Sequence, residues 1–147
     1  MTYADNKRIY HDYEILETYE AGIILEGHEV KAVKTGKISI VGSYVKIIDS
    51  ETFLIGAIIS PYQPKNTPKD YDPQRSRKLL LNKKEIEGLI GKSKERGLTI
   101  VPLKVYAKKG KIKLEIGLAK AKKKYDKRTS IRKKEEKRKI ERVLKQY

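Results

Sequence analysis

The spacing of apolar positions along the 147 residues changes period several times, and each change marks an element. In YEILETY, residues 13–19, Tyr13, Ile15, Glu17 and Tyr19 fall on one side and Glu14, Leu16 and Thr18 on the other. That predicts an imperfect half-buried strand running on into EAGIILEG. HEVKAVKTGK then sets Val30 and Val33 three apart, with Glu29 early, Lys34 late and Gly36 beyond, the layout of a short capped helix. Residues 43–60 read as a hairpin: Tyr44, Val45, Ile47 and Ile48 lead into Asp49-Ser50-Glu51, and Phe53 to Ile59 return. Four prolines within 61–73 predict an irregular connection. Leu79–Leu81 suggest a short first helix. Asn82 then caps a longer one, in which Glu85 completes a capping box, Ile86, Leu89 and Ile90 form the apolar stripe, and Gly97 is the stop. LTIVPLKVYAKKGKIKLEIGLAK is the clearest hairpin. Leu103 and Val105 alternate with Lys104 and Tyr106, KKGK turns, and Ile112, Leu114, Ile116 and Leu118 return on one face. Pro102 places a bulge or an edge near the start of that hairpin.

The pattern therefore predicts a mainly β fold of about six strands, with one substantial helix and one or two short ones. A small antiparallel oligonucleotide-binding-like barrel with two or three flanking helices is a favoured solution, although alternation by itself does not demand closure. The expected division is a body over residues 1–118 and a tail over 119–147.

Charge sharpens that division. The chain carries a formal +16, and residues 119–147 contribute 14 Lys/Arg against 4 Asp/Glu, or +10 of it. The tail has no glycine or proline. Ile140, Val143, Leu144 and Tyr147 make a narrow apolar stripe, with Glu135–Lys139 and Glu141–Lys145 as ion pairs one turn apart. An isolated helix of this kind is marginal in water, so the tail is expected to be disordered when free and helical on a phosphate-rich surface.

A strongly basic chain implies a polyanionic partner, with nucleic acid the leading class and an anionic membrane surface behind it. No apolar run approaches 18 residues, and MTYADNKRIYHDY has no signal-peptide core; a soluble cytoplasmic protein with no membrane partner is expected. With no cysteine, thiolate metal and redox chemistry are excluded. His11 and His28 sit in no catalytic motif, and no phosphate loop or nucleophile elbow is present. Neither enzyme activity nor a cofactor or metal is expected. Ten tyrosines among lysines and arginines suit a surface that stacks unpaired bases, although Tyr13, Tyr19 and Tyr44 read better as core or rim. Glu20, an acid in a basic chain, has two open readings: a strand-end residue facing water, or an acceptor for a base amino or ribose hydroxyl group.

Four stretches in order, NKRIYHDYEILETYEAGIILEGHEVKAVKTGK, DPQRSRKLLLNKKEI, GLTIVPLKVY and LAKAKKKYDKR, resemble the small protein B family, the tmRNA-binding (SsrA-binding) factors of bacterial ribosome rescue. The resemblance spans about residues 6–132. It implies a barrel of the kind above and no chemistry, but binding to the tRNA-like domain of tmRNA and its delivery to stalled ribosomes. Implied RNA-binding positions are Glu20, Leu80 and Lys113, with Asn6 and His11 from the N-terminal motif and Lys120, Lys122 and Lys123 from the basic exit of the body. Tyr125, Asp126, Lys127 and Arg128 are implied to act inside the ribosome, at the small-subunit decoding site and the vacant mRNA path. Elongation factor Tu, arriving with charged tmRNA, and a monomeric state complete the expectation. The family commonly has glycine where this chain has Ala121. The competing reading is a ribosome-associated structural or RNA-chaperone protein with a basic barrel.

Overall fold

The computed structural model describes residues 1–122 apart from 64, 66 and 96. In chain order the elements are β1 (Thr2–Asp5), α1 (Ile9–Asp12), β2 (Tyr13–Ile23), α2 (Gly27–Lys34), β3 (Ile38–Ser39), β4 (Tyr44–Ile48), β5 (Glu51–Ile55), β6 (Ile58–Ile59), β7 (Arg77–Leu80), α3 (Lys83–Ser93), β8 (Leu98–Lys108) and β9 (Lys111–Ala121). Seven strands form one antiparallel sheet in the order β1-β8-β4-β5-β7-β2-β9, and β8 also pairs with β9. Six strands therefore make a ring, with β1 added alongside the C-terminal half of β8. β3 and β6 form a separate short ribbon.

The two hairpins fall where the pattern placed them. Asp49 and Ser50 turn β4 into β5 with both residues at positive φ, and Lys109-Gly110 does the same between β8 and β9. Such left-handed pairs match the twist of the strands they join. On β9, Leu114, Ile116 and Leu118 point into the ring and are buried with Val45, Leu54, Leu79, Ile100 and Val105. α2 closes this core with Ala32 and Val33, and α3 adds Leu89. The capping box of α3 is formed: the Glu85 amide donates to Asn82 Oδ1 at 2.8 Å, and the Asn82 amide to Glu85 at 3.4 Å. α3 ends at Ser93, four residues short of Gly97, whose φ of +83° serves the entry to β8.

Two local expectations change. Residues 77–80 form a strand between β5 and β2, and no helix starts at Leu79. Arg77 and Leu79 face inward while Leu80 is 53% exposed, so the period is two, but the residue types that would reveal it are inverted. Leu103 and Val105 also part company. The register slips between Pro102 and Lys104, where the chain bulges. That extra residue sends Leu103, with Val101 and Ala119, into a second small core under Ile9, Tyr13 and Ile15.

Candidate nucleic-acid interface

The register of the ring decides which predicted residues meet. Leu80 on β7 pairs with Gly22 on β2, Gly22 with Lys113 on β9, and Lys113 with Tyr106 on β8. Glu20, two residues before Gly22, pairs with Glu115, and Glu115 with Lys104. Side chains alternate between faces with a period of two, and Ala21, Leu114 and Val105 between these rows are fully buried. Both rows therefore lie on the outer surface, and Glu20, Leu80 and Lys113 share it.

Position 22 is tight for any side chain. A Cβ there would lie 3.3 Å from Leu80 Cβ. Without one, Leu80 lies across the strand, and a groove of about 340 Å³ opens between Leu80 and Lys113. Val30 and Lys34 of α2 form one wall, and Gly110 and Lys111 of the β8–β9 turn line it as well. Glu20 is clasped beside the groove: Tyr106 Oη donates to its Oε2 at 2.6 Å, and Lys108 Nζ lies 3.2 and 3.3 Å from its two oxygens. The hydrogen bond from Tyr106, then that from Lys108, holds the Glu20 carboxyl below its ordinary range, against a smaller effect of burial. Burial first, then Glu20, raises the Tyr106 phenol. Glu115 is matched by Lys104 at 3.9 Å. Lys34, Lys111 and Lys113 form no ion pair among the described residues, so the surface keeps a net positive charge. Two adjacent features, an exposed apolar Leu80 and uncompensated lysines, suit a base and its phosphates.

Of the remaining candidates, Lys120 and Lys122 lie at the other end of β9 near α1 and His11, Lys120 being seven residues and about 23 Å along the strand from Lys113, while Asn6 lies between, beside Pro102, which pairs with Ile116. Asn6 is 2% exposed, and its side chain donates to Pro102 O at 2.9 Å while its amide donates to Leu103 O at 2.9 Å. It fastens the N-terminal segment to the β8 bulge. His11 is exposed on α1, and Lys120 is exposed on β9. Lys122 donates through Nζ to Tyr10 O at 3.0 Å and through its amide to Asp12 O at 2.9 Å, tying the strand exit to α1. Lys123, Tyr125, Asp126, Lys127 and Arg128 lie outside the described residues.

One cluster carried no signal in the periodicity. Glu29 on α2 and Arg77 on β7 are both 0% exposed and paired at 2.7 Å. Arg77 Nε adds a bond at 3.1 Å, Tyr71 Oη donates to Glu29 at 3.0 Å, and Arg75 also binds this carboxylate. Burial alone would raise the Glu29 pKa; the bonds from Arg75, the Glu26 amide and Arg77 overcome it and bring it to about 2. The clamp joins the proline-rich connection to α2 and sets the wall formed by Val30 and Lys34. Among the described residues no three His, Asp or Glu side chains converge to hold a metal ion.

A family model described as SmpB protein matches residues 3–146. The chain belongs to the SmpB family. The SsrA-binding protein of Sulfurihydrogenibium is 54% identical over 142 residues, covering 97% of this chain and 93% of that one. The SsrA-binding protein of Cupriavidus necator is 51% identical over 145 residues, covering 99% and 97%. A solved SmpB structure, described by the words "tmRNA-SmpB: a journey to the center of the bacterial ribosome", superposes with a TM-score of 0.67 at 49% identity, over 82% of this chain and 84% of that one. The mainly β fold with two or three flanking helices expected from the sequence is found here with three helices, and it matches that of this SmpB neighbour.

Proposed function

We propose that this chain binds the tRNA-like domain of tmRNA through the Glu20–Leu80–Lys113 surface and delivers it to stalled ribosomes, performing no chemistry itself. The observation that carries the reading is the groove beside the Leu80–Gly22–Lys113–Tyr106 row, lined by Lys34, Lys111 and Lys113, in a chain 49% identical to a solved SmpB structure described by the words "tmRNA-SmpB: a journey to the center of the bacterial ribosome". A tRNA-like RNA offers a fixed array of phosphates with unstacked loop bases, and the surface offers Lys34, Lys111 and Lys113 around a groove that Leu80 and Val30 make apolar. Counterion release alone is blind to sequence and shape, so the reading predicts selectivity. In filter binding at moderate salt, a tRNA-like hairpin should outcompete random RNA of equal charge by about tenfold or more. Equal affinity would support the alternative of a basic ribosome-associated or chaperone-like protein.

The finer parts of the reading concern the tail and its partners. Residues 1–118 act as the RNA-binding body, and the basic tail enters the decoding site and the vacant mRNA path, with Tyr125, Asp126, Lys127 and Arg128 engaged there. A segment that orders only in an RNA-walled channel gains its contacts only where no message lies. Truncation after Lys124 should leave tmRNA affinity largely intact and abolish peptide tagging on stalled ribosomes; loss of both together would refute the division. Elongation factor Tu accompanies the charged tmRNA, and the protein acts in the cytoplasm as a monomer.

A further inference from the structure

Glu20 is the acid assigned to RNA, yet its oxygens are already engaged within the protein. Oε2 accepts from Tyr106 Oη at 2.6 Å and from Lys108 Nζ at 3.2 Å, and Oε1 faces Lys108 Nζ at 3.3 Å. A carboxylate facing phosphates repels them, so an acid retained on a cationic surface must contribute something that outweighs that repulsion. Its neighbours show what. The Tyr106 ring is gripped at its tip by Glu20, and Lys104 Nζ lies 5.4 Å from its centroid, over one face. A ring held in place before binding loses little further freedom when a base stacks on it.

The other described tyrosines are placed differently. Tyr71 is held in the Glu29 clamp, Tyr19 packs on the core with its hydroxyl on Glu17, and Tyr3 packs on the core as well. Tyr13 covers the second small core, Tyr62 sits beside Lys37, and Tyr44 lines a cleft with Asn6 and Asp12; Tyr10 is on α1, where its carbonyl binds Lys122 and its exposed phenol faces Glu115 and Asp5 rather than Lys113. Tyr106 alone among them is in register with Lys113, one strand spacing of about 5 Å away.

We propose that Tyr106 is the base-stacking residue of this surface, and that Glu20 is a positioning residue that holds the Tyr106 ring and the Lys108 ammonium without itself touching RNA. The inference rests on the tmRNA reading above and names the groups that carry it. Lys108, 54% exposed, is thereby set beside the ring for a phosphate.

The test is a binding cycle on the full chain with a tRNA-like hairpin as probe. Tyr106→Leu should weaken binding by about tenfold or more, the usual worth of one stacked base. Tyr106→Phe keeps the ring and loses its anchor, so it should weaken binding less, and adding it to Glu20→Ala should cost no more than about twofold beyond Glu20→Ala alone. Losses that multiply would mean a direct contact from Glu20 and would overturn the positioning role. The chain has no tryptophan, so Tyr106→Trp installs a single tryptophan at the site, which can be excited apart from the nine remaining tyrosines. Its emission should be quenched as RNA binds; unchanged emission with retained binding would overturn the stacking role. If the unsubstituted chain shows no preference for the hairpin over random RNA, the tmRNA reading fails, while the variants, read on either RNA, still decide the stacking claim.

Discussion

Glu29 and Glu20 are held by the same kinds of group in opposite settings. Each carboxylate accepts from a tyrosine hydroxyl and faces a cation: Tyr71, Arg75 and Arg77 for Glu29, Tyr106 and Lys108 for Glu20. The first pair, Glu29–Arg77, exposes no surface at all; in the second, Lys108 and Glu20 are 54% and 37% exposed. Inside, arginine is suited to the work, since its planar fork reaches Glu29 through Nε and Nη2 while Nη1 donates to Ala57 O at 2.8 Å. Outside, a lysine held by one carboxylate remains available to a phosphate. The buried group fixes the shape of the groove wall, and the exposed group presents the surface that RNA would meet.

The comparison is broken most severely at Glu29. Glu29→Ala leaves Arg77 buried without its partner and should destabilise the protein by about 3–5 kcal/mol, read from the denaturant midpoint. Arg77→Lys replaces the fork with a point charge and should cost about 2 kcal/mol in the same measurement. Lys108→Arg outside should change stability by less than about 0.5 kcal/mol.

Acid gives a milder perturbation. The folded Glu29 pKa of about 2 lies below its ordinary value near 4.5, so its contribution is complete above pH 4.5 and is lost as pH falls towards 2. Tyr71 is the alkaline counterpart: burial, then Glu29, pushes its phenol up to about 12, so its contribution is complete below pH 10 and fades as pH rises through 12. Glu29→Gln should therefore flatten the fall in melting temperature between pH 4.5 and 2. An unchanged slope would mean that other carboxylates govern acid unfolding.

The smallest effect on stability, and the most telling contrast, belongs to Glu20→Ala. It should leave the denaturant midpoint nearly unchanged, as exposed pairs do, while weakening binding to a tRNA-like hairpin. Circular dichroism and melting that show collapse would put Glu20 with Glu29 as a structural acid.

What could be read from the chain alone follows from how local each feature is. The β8–β9 hairpin, the capping box of α3 and the short helix at Glu29 to Lys34 depend on near neighbours, and all are present. The strand β7 was hidden because Arg77 points inward and Leu80 outward. Arg77 is tolerated inside by Glu29, forty-eight residues away, which no window of periodicity can contain. Leu103 was grouped with Val105, but the bulge beside it sends the two into different cores. Glu20, Leu80 and Lys113 were named through family resemblance, and the register then set them on one surface. Tyr106 carried a usable signal: the Lys109-Gly110 turn fixes it opposite Lys113. Its contact with Glu20 was not readable, since that requires β2 to lie against β9. Ala121 needs no glycine-like backbone, for it ends β9 as an ordinary strand residue opposite Tyr13 and is not among the positive-φ positions.

The way the ring closes has a mechanical consequence. Its two arcs, β2–β9–β8 and β4–β5–β7, are joined at one seam by Gly22–Leu80 and Ile23–Leu79 and at the other by Val45–Ile100. The first seam runs through the floor of the groove. RNA bound as proposed, on Leu80, Gly22 and Lys113, would span both arcs like a rivet, and occupancy of the site would then tighten the joint on which the site is built.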